Sequence, residues 1–404
     1  MIHCIAPIAN SLCVAYGMGF QFSYLCDLLS SIENNQTIKA STAARAVNPD
    51  IRVIARWFSQ HEKKIHDRNT NRAALLSCLF PEKRTDRVYW MQDASLARVV
   101  GRCLLLGSSR REQLERWRVS GGSDLGQCVE NVMRQAENHV HDGQDVTVEE
   151  IDKALDLIAA QCRYSSPEVR RQRKNTAVDV HMALMPIYRR MSSRDAKWFT
   201  RMILKSYSPV VLPTAFVLQR FHFILPSLLL FQDSFEGAAS ILDSPPMRHF
   251  PPHPEAGLAA DLGAIALQNL KPRIGINVGR PDYYKARSIK HCLQMVGHRR
   301  MSLERKYDGE YCQIHVDLAS QSKPLIRIFS KNGKDATADR SGALEALAGS
   351  LRFGSPDCRI SRHCILEGEL VVWSDKDQKV LEFHKLRKFL SRSGVFIGTE
   401  NDSQ

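Results

Sequence analysis

The residues with the clearest chemical potential are Lys306, Asp308 and Gly309, within the run Glu304-Arg305-Lys306-Tyr307-Asp308-Gly309-Glu310-Tyr311. Residues 311–318 alternate between apolar and polar types, which predicts a half-buried strand directly after this turn. Glycine permits a tight bend and the close approach of a ligand at such a place. A lysine held there can act as a nucleophile once it loses a proton, and burial or neighbouring cations favour that loss. A solvated surface turn is the alternative interpretation.

The run resembles the K-x-D-G-x-R motif of the covalent nucleotidyltransferases, which comprise ATP-dependent DNA ligases, RNA ligases and mRNA capping enzymes. Tyr311 stands at the arginine position of that motif, so any contact made there loses its charge. Three later segments follow in the family's order. They are residues 327–333, similar to an F-S-R-N segment with Lys331 for arginine, residues 365–373, which carry Glu369, and residues 383–387, which begin with Phe383.

The resemblance implies a three-step reaction with ATP and Mg²⁺. Lys306 would attack the α-phosphorus of ATP, the AMP would pass to a 5′-phosphate at a DNA nick, and the 3′-hydroxyl would displace AMP. Such transfers depend mainly on positioning and charge neutralisation. The matching positions imply the following site: Lys306 as nucleophile; Glu304 at the adenine amino group; Lys331 near the ribose or phosphates; Glu369 at the ribose or Mg²⁺; Phe383 as a stacking ring; and Arg305, Asp308, Gly309 and Tyr311 as the rest of the nucleotide-binding motif.

The chain before residue 270 reads as helical, because its apolar residues recur at helical spacing and strand-like alternation is almost absent. Thr147-x-x-Glu150 predicts a capping box, and Ser192-x-x-Asp195 can cap a helix in the stretch Ser192 to Tyr207. In that helix Lys197, Arg201 and Lys205 recur every four residues, which predicts a stripe that binds backbone phosphates. An ordinary solvated face is the alternative. Residues 195–205 also resemble a segment of the helical DNA-binding domain of eukaryotic DNA ligases, especially the end-joining ligase.

Composition narrows the partners of the chain. The formal net charge of +13 and the pI of about 9.3 favour a polyanion such as nucleic acid. The 11 cysteines include no C-x-x-C pair, which argues against a zinc site and a disulfide framework. No apolar run reaches membrane-spanning length, so we expect no membrane partner. The basic run at residues 170–174 fits either a nuclear import signal or a basic helix face, and we expect the nucleus as the location.

These patterns predict a multidomain chain that is α and then α+β. We expect a poorly ordered extension (1–17), a helical DNA-binding domain (18–243), a proline-rich linker (244–270) and the first half of a nucleotidyltransferase (adenylation) domain with antiparallel sheets (271–404). The family's later lysine motifs have no counterpart, since residues 393–398 only approximate one of them. We therefore expect a truncated ligase whose 404 residues do not seal nicks alone.

The expected partner is double-stranded DNA with nicks or ends, together with an end-joining scaffold protein. Two other classes stay open at this stage. One is a catalytically inactive DNA-binding or scaffold protein derived from a ligase, which would bind duplexes without becoming labelled by ATP. The other is an RNA ligase or capping-type enzyme, which the long helical region disfavours because such a region suits clamping a duplex.

Overall fold

The computed structural model describes residues 19–41, 48–119, 123–135, 145–173, 178–280, 283–319 and 325–386. The extension predicted at residues 1–17, the run at 393–398 and part of the basic run at 170–174 lie outside the described residues. The chain divides into two compact units. The first comprises Met1–Lys83, Tyr89–Gln161 and Gln172–Pro213, and the second comprises Arg84–Val88, Cys162–Arg171 and Thr214–Gln404.

The first unit is helical, as the sequence predicts. Its α-helices are α1 (Phe22–Ser41), α2 (Pro49–Ile65), α3 (Arg72–Leu79), α4 (Asp93–Cys103), α5 (Ser108–Leu114), α6 (Leu125–Arg134), α7 (Val148–Gln161), α9 (Val180–Tyr188) and α10 (Ser193–Ile203), and α8 (Pro167–Arg171) belongs to the second unit. Local signals explain where several of them begin. Thr147 and Glu150 form the predicted capping box, with backbone-to-side-chain bonds of 3.3 and 3.1 Å. The Asp195 amide donates to Ser192 Oγ at 3.1 Å and so caps α10.

The core of the first unit is built from the apolar stripes of these helices. Leu25 and Leu29 of α1 are buried together with Trp57 of α2 and with Trp198 and Phe199 of α10. Burial of such stripes, rather than intrinsic helix propensity, supplies most of the stability of short helices. The helical interpretation of this region is therefore confirmed.

The second unit carries the sheet. Besides α8 it contains α11 (Thr214–Phe221), α12 (Leu225–Phe231), α13 (Phe235–Leu242), α14 (Ala256–Asn269), α15 (Ile289–Val296), β1 (Glu310–Asp317), β2 (Leu325–Ser330), α16 (Gly342–Ser350), β3 (His363–Leu370), β4 (Trp373–Ser374), β5 (Lys379–Val380) and α17 (Phe383–Leu386). The order β2-β1-β3 is antiparallel throughout, and β4 pairs with β5. No single described helix is long and apolar enough to cross a bilayer. The helices α11 and α12 reach that length and apolar character only when taken together, and a bend of 110° separates them.

One face of the three-stranded sheet forms the core of this region. Cys312, Ile314 and Val316 alternate along β1 and pack with Ile328 of β2. Leucines of α16 and Phe353 cover that face. The opposite face of β1 carries Tyr311, Gln313 and His315, because successive side chains of a strand point to opposite sides. The alternation predicted at residues 311–318 is thus the strand β1.

The two compact units divide at a different place from the predicted domain bounds, which stay a prediction. The first unit ends at Pro213 instead of residue 243, so α11 to α13 belong with the sheet-bearing unit. The segment predicted as a linker contains a 3₁₀ turn at Met247–His249 and the helix α14. Met247 is buried, and the Phe223 amide donates to the Pro252 carbonyl at 2.9 Å. The prolines therefore mark turns inside a folded region, because they end helices whether or not a domain ends there.

Candidate active site

The K-x-D-G turn lies directly before β1, as predicted. Gly309 is required there by packing, since a Cβ at this position would lie 2.6 Å from the carbonyl oxygen of Leu370 in β3. Any larger residue would push β3 away from the start of β1. Lys306 lies in the irregular segment before Gly309, and its Nζ donates to the Tyr307 carbonyl at 3.4 Å. The Lys306 side chain is exposed, so the burial expected for an activated lysine is not present in this structure.

The antiparallel register places two of the predicted residues at one edge of the sheet, where β1 begins and β2 and β3 end. Glu310 at the start of β1 pairs with Leu370 at the end of β3, and Cys312 pairs with Ser330 at the end of β2. Lys331 follows Ser330 immediately, and Glu369 pairs with Tyr311. Lys331 and Glu369 therefore lie at the sheet edge that the segment with Lys306 leads into. Two lysines and a carboxylate suit the binding of a phosphate ester with its metal ion.

A buried arginine that was not predicted from the sequence connects two strands at this edge. Arg340 is 3% exposed, and its Nη2 donates to Glu310 Oε1 at 2.7 Å. Its Nη1 donates to the carbonyl of Phe329 in β2 at 3.5 Å. Arg340 thus joins the residue that follows the K-x-D-G turn to the end of β2. Arg340 lies nine residues after Lys331 and carries no local signal, so its role could not be predicted from the sequence.

The polar face of the sheet is held by hydrogen bonds around Glu367. The Tyr311 hydroxyl donates to Glu367 Oε1 at 2.6 Å, and Gln313 Nε2 donates to the same oxygen at 3.0 Å. Burial raises the pKa of Tyr311, and the hydrogen bond to Glu367 and its charge raise it further. Tyr311 therefore stays a neutral donor. The exposed carboxylate of Glu367 thus accepts two hydrogen bonds on this face.

A chain segment before the turn is fastened onto this polar face. Gln313 exchanges two bonds with the backbone of Val278: its Oε1 accepts from the amide at 2.8 Å and its Nε2 donates to the carbonyl at 3.0 Å. The Gly275 amide donates to His315 Nδ1 at 3.1 Å, so the proton of a neutral His315 lies on Nε2, which is 2.9 Å from Gln313 Oε1. Burial and the charge of Arg327 lower the pKa of His315 to about 4. Arg280 follows this segment, with its guanidinium 4.4 Å from the centroid of the Tyr311 ring.

The other predicted nucleotide ligands are placed as follows. Glu304, Arg305 and Asp308 are exposed in the irregular segment before β1. Glu304 accepts a bond from Ser302 Oγ at 3.3 Å, and the Arg305 guanidinium lies 5.4 Å from the Tyr307 ring centroid. Phe383 is half-buried and opens α17. Glu304, Arg305 and Asp308 thus share with Lys306 the segment before β1, outside the strand pairing that places Lys331 and Glu369.

The edge fits a magnesium nucleotide through a small number of protein ligands. Across the described ranges, no three His, Cys, Asp or Glu side chains form a group that could hold a metal ion. Mg²⁺ in nucleotide sites is commonly held by one or two carboxylates and the substrate phosphates, so the exposed Glu369 suffices as a protein ligand. Lys306 and Lys331 are exposed cations for the phosphates. These side chains would hold ATP by charge rather than by enclosure.

The predicted phosphate-binding stripe is corrected by the structure. Lys197 and Arg201 are 5% and 4% exposed, and both point into a cluster of carboxylates. Arg201 binds Asp124 through Nε and Nη2, at 3.1 and 2.7 Å, and binds Glu33 through Nη1 at 2.8 Å. Lys197 Nζ lies 2.6 Å from Glu33 and 3.4 Å from Glu130. The prediction that these two residues form an exposed stripe is wrong, because their charges are neutralised inside the fold.

The ion pairs with Lys197 and Arg201 shift the pKa values of the carboxylates. Burial alone would raise the pKa of Glu33 and Asp124, but hydrogen bonds from Arg201, and from Lys197 in the case of Glu33, lower it overall. Gly126 lets α6 approach α10 here, since a Cβ on it would lie 2.8 Å from Arg201 Cγ. The cluster therefore joins α1, α6 and α10. Lys205 lies outside α10, half-buried, with Nζ 5.2 Å from the Tyr89 ring centroid.

Known protein families match both the helical part and the sheet-bearing part of the chain. The family described as "DNA ligase N terminus" matches residues 21–222, and the family described as "ATP dependent DNA ligase domain" matches residues 283–400. The chain is similar to DNA ligase 4 of Dictyostelium discoideum, with 24% identity over 402 residues that cover 93% of this chain and 33% of the relative. DNA ligase 4 of Aspergillus oryzae is 22% identical over 359 residues, covering 83% and 32% respectively.

A further relative matches a shorter stretch. DNA ligase 3 of Schizosaccharomyces pombe is 31% identical over 133 residues, which cover 32% of this chain and 16% of that protein. The chain spans about a third of the length of the DNA ligase 4 relatives that it matches. The helical unit, the sheet edge with its K-x-D-G turn and the two family matches agree with one another. The chain belongs to the family of ATP-dependent DNA ligases.

Proposed function

We propose that this chain binds duplex DNA and forms a lysyl-adenylate at Lys306, as part of an ATP-dependent strand-joining reaction in DNA repair and recombination. The observation that carries the proposal is that Lys331 and Glu369, from the ends of β2 and β3, lie at the sheet edge that the segment with Lys306 leads into. Lys331 and Glu369 are far apart along the chain, so strand pairing, and no single motif, brings them to that edge.

The edge can support attack of an amine on a phosphate. Lys306 Nζ would form a bond to the α-phosphorus of ATP while pyrophosphate leaves and the lysine proton passes to solvent, which reaches the exposed amine. Lys331 would offset negative charge on the phosphates, and Glu369 would hold Mg²⁺. ATP supplies the adenylyl group. Arg340 would keep the K-x-D-G turn in place through Glu310.

The DNA partner is proposed from charge and from relatives. A net charge of +13 suits a polyanion, and contacts of lysine and arginine with backbone phosphates are independent of sequence. The resemblance of residues 195–205 to the end-joining ligase motivates a nuclear role in end joining, with nicked or broken duplexes as substrate and an end-joining scaffold protein as partner. Two relatives carry the name DNA ligase 4. We place the phosphate contacts on cations other than Lys197 and Arg201, which are paired inside the fold.

The first step can be tested directly on the 404-residue chain. The protein is incubated with α-labelled ATP and Mg²⁺, and label that survives denaturation but is released by acid is measured and mapped by peptide analysis. We expect substoichiometric label on Lys306, lost in Lys306→Ala and in Lys306→Arg, because a guanidinium is effectively never deprotonated. Lys376→Ala, which changes an exposed lysine in the β4–β5 turn, should keep the label. Label that persists on Lys306→Ala would show that another residue is the nucleophile.

A second candidate is a DNA-binding protein that has lost catalysis. It is favoured by Tyr311, whose hydroxyl is held by Glu367 at the position where the family motif has arginine. This candidate predicts duplex binding with no acid-labile label on the wild-type chain. The labelling experiment and a duplex-binding titration together therefore decide between the two.

A further inference from the structure

The face of the sheet beside the K-x-D-G turn has an excess of negative charge on its strands. Glu367 and Glu369 of β3 are both exposed, and both lie on the side of the sheet that carries Tyr311. Tyr311 is neutral and donates its hydroxyl proton to Glu367. Arg327 of β2 also lies on this face, but it is bound to Glu168. A polyanionic nucleotide would meet two carboxylates here, so a cation in addition to Lys306 and Lys331 would favour the binding of its phosphates.

Arg280 brings such a cation to this face. Its guanidinium carbon lies 4.4 Å from the centroid of the Tyr311 ring, within the range of a cation–π contact. Among the residues that the structure describes, Arg280 forms no salt bridge. No described carboxylate therefore competes with a ligand for its N–H donors. A guanidinium offers paired donors that match the geometry of a phosphate.

The position of Arg280 is fixed by the segment before it. Gln313 holds both backbone groups of Val278, and the Gly279 amide donates to the Leu230 carbonyl at 2.9 Å. Gly279 has no room for a side chain without displacement of its neighbours, since a Cβ would lie 3.1 Å from the backbone of Leu230. The last residues before Arg280 are thus anchored on two sides. An anchored backbone limits the conformations that Arg280 must give up when it binds a ligand.

We infer that Arg280 binds the phosphates of ATP. Arg280 supplies, from a different part of the chain, the positive charge that the family motif carries at position 311. Tyr311 serves as the platform that holds the guanidinium, and Glu367 holds Tyr311. This arrangement accounts for tyrosine at position 311. Tyrosine lacks the charge of the motif's arginine, but its ring binds the charged guanidinium of Arg280. The inference rests on the proposed function, because it assigns a ligand contact within the same site.

The test compares ATP with adenosine as ligands for the 404-residue chain, by calorimetry in EDTA so that no covalent step occurs. Arg280→Ala should weaken ATP binding about tenfold, the lower end of the range for a lost charge-assisted contact, because the site is exposed. Binding of adenosine, which has no phosphates, should not change. Arg287→Ala, which changes an exposed arginine in the next described segment, is the matched control and should bind ATP as the wild type does.

A rescue variant separates ligand binding from a structural role. Tyr311→Arg in the Arg280→Ala background returns the cation to β1, and it should restore most of the lost ATP affinity. A role of Arg280 in stability alone would lower the melting temperature without this ligand-specific loss, and Tyr311→Arg would not reverse it. Equal ATP affinity in the wild type and in Arg280→Ala overturns the inference and leaves the proposed function standing. A wild-type chain that does not bind ATP overturns both.

Discussion

Replacement of Lys197 and Arg201 together by glutamine should destabilise the helical unit and leave the salt dependence of DNA binding unchanged. Arg201 makes three hydrogen bonds to Asp124 and Glu33, and Lys197 bridges Glu33 and Glu130. Loss of one member of a buried ion pair costs about 3–5 kcal/mol, because the partner charge stays buried without compensation. Asp124 is 47% exposed and Glu33 is 24% exposed, so solvent screens part of that cost.

We therefore expect the double variant to lose about 2–4 kcal/mol of unfolding free energy. For a unit of this size, such a loss corresponds to a melting temperature lower by roughly 5–15 °C. Urea unfolding followed by tryptophan fluorescence measures the change, since Trp198 lies against both cations, with its ring centroid 5.0 Å from Lys197 Nζ and 4.7 Å from the Arg201 guanidinium carbon.

The DNA measurement distinguishes this account from the phosphate stripe that the sequence suggested. Two lost phosphate contacts would flatten the slope of log K against log salt by roughly 1.8, at about 0.9 for each contact. The structure leads us to expect no such change, because both cations are engaged by carboxylates. Arg98→Gln with Arg102→Gln removes the same net charge from an exposed face of α4 and controls for long-range electrostatics. A flatter slope combined with unchanged stability in the Lys197/Arg201 variant would refute the reasoning.

Three further predictions concern the sheet. The pKa of His315 is about 4 in the fold and 6.5 in an unfolded chain, so the fold favours the neutral imidazole. The free energy of unfolding should therefore decrease by at most about 3 kcal/mol as pH falls from 6.5 to 4. Urea unfolding at several pH values should show a flatter profile for His315→Asn, and an unchanged profile would contradict the assignment. Gly309→Ala should cost about 1–3 kcal/mol through its clash with β3, whereas Gly368→Ala, which meets open space, should stay within about 0.5 kcal/mol; equal losses would exclude the steric explanation. Arg340→Met should cost about 1–3 kcal/mol by removing the bonds to Glu310 and Phe329, and it should speed hydrogen exchange at residues 306–309; unaltered exchange would mean that Arg340 does not hold the turn.

Local signals were enough to predict many of the elements, although not α14, which lies in the segment predicted as a linker. The capping box at Thr147, the cap at Ser192 and the apolar stripes depend on neighbours within one or two turns, and all of them appear as helices. The K-x-D-G turn and the alternation after it likewise predicted β1 and its position. The family resemblance, which depends on the order of short motifs, was confirmed by the matches to both units.

Tertiary structure decided which charges are available to ligands. A cation every four residues predicts one helix face, but that face can meet either water or carboxylates brought from elsewhere in the chain. Asp124 and Glu33 are 77 and 168 residues from Arg201, so no local pattern could show that they neutralise it. The same reason explains why the sequence did not reveal that Arg340 holds Glu310, or that Arg280 lies on Tyr311.

Contacts between distant parts of the chain decided both the domain boundary and the residues at the sheet edge. Prolines at residues 245–254 are compatible with a linker or with turns inside a fold, and only the bond from Phe223 to Pro252 and the burial of Met247 distinguish them. The sequence by itself determined the helical character of the chain before the linker, the strand β1 after the K-x-D-G turn, and the identity of Lys306 as the candidate nucleophile. The antiparallel register of β1, β2 and β3 decided that Lys331 and Glu369 lie at its edge, because strand pairing joins residues that are distant along the chain.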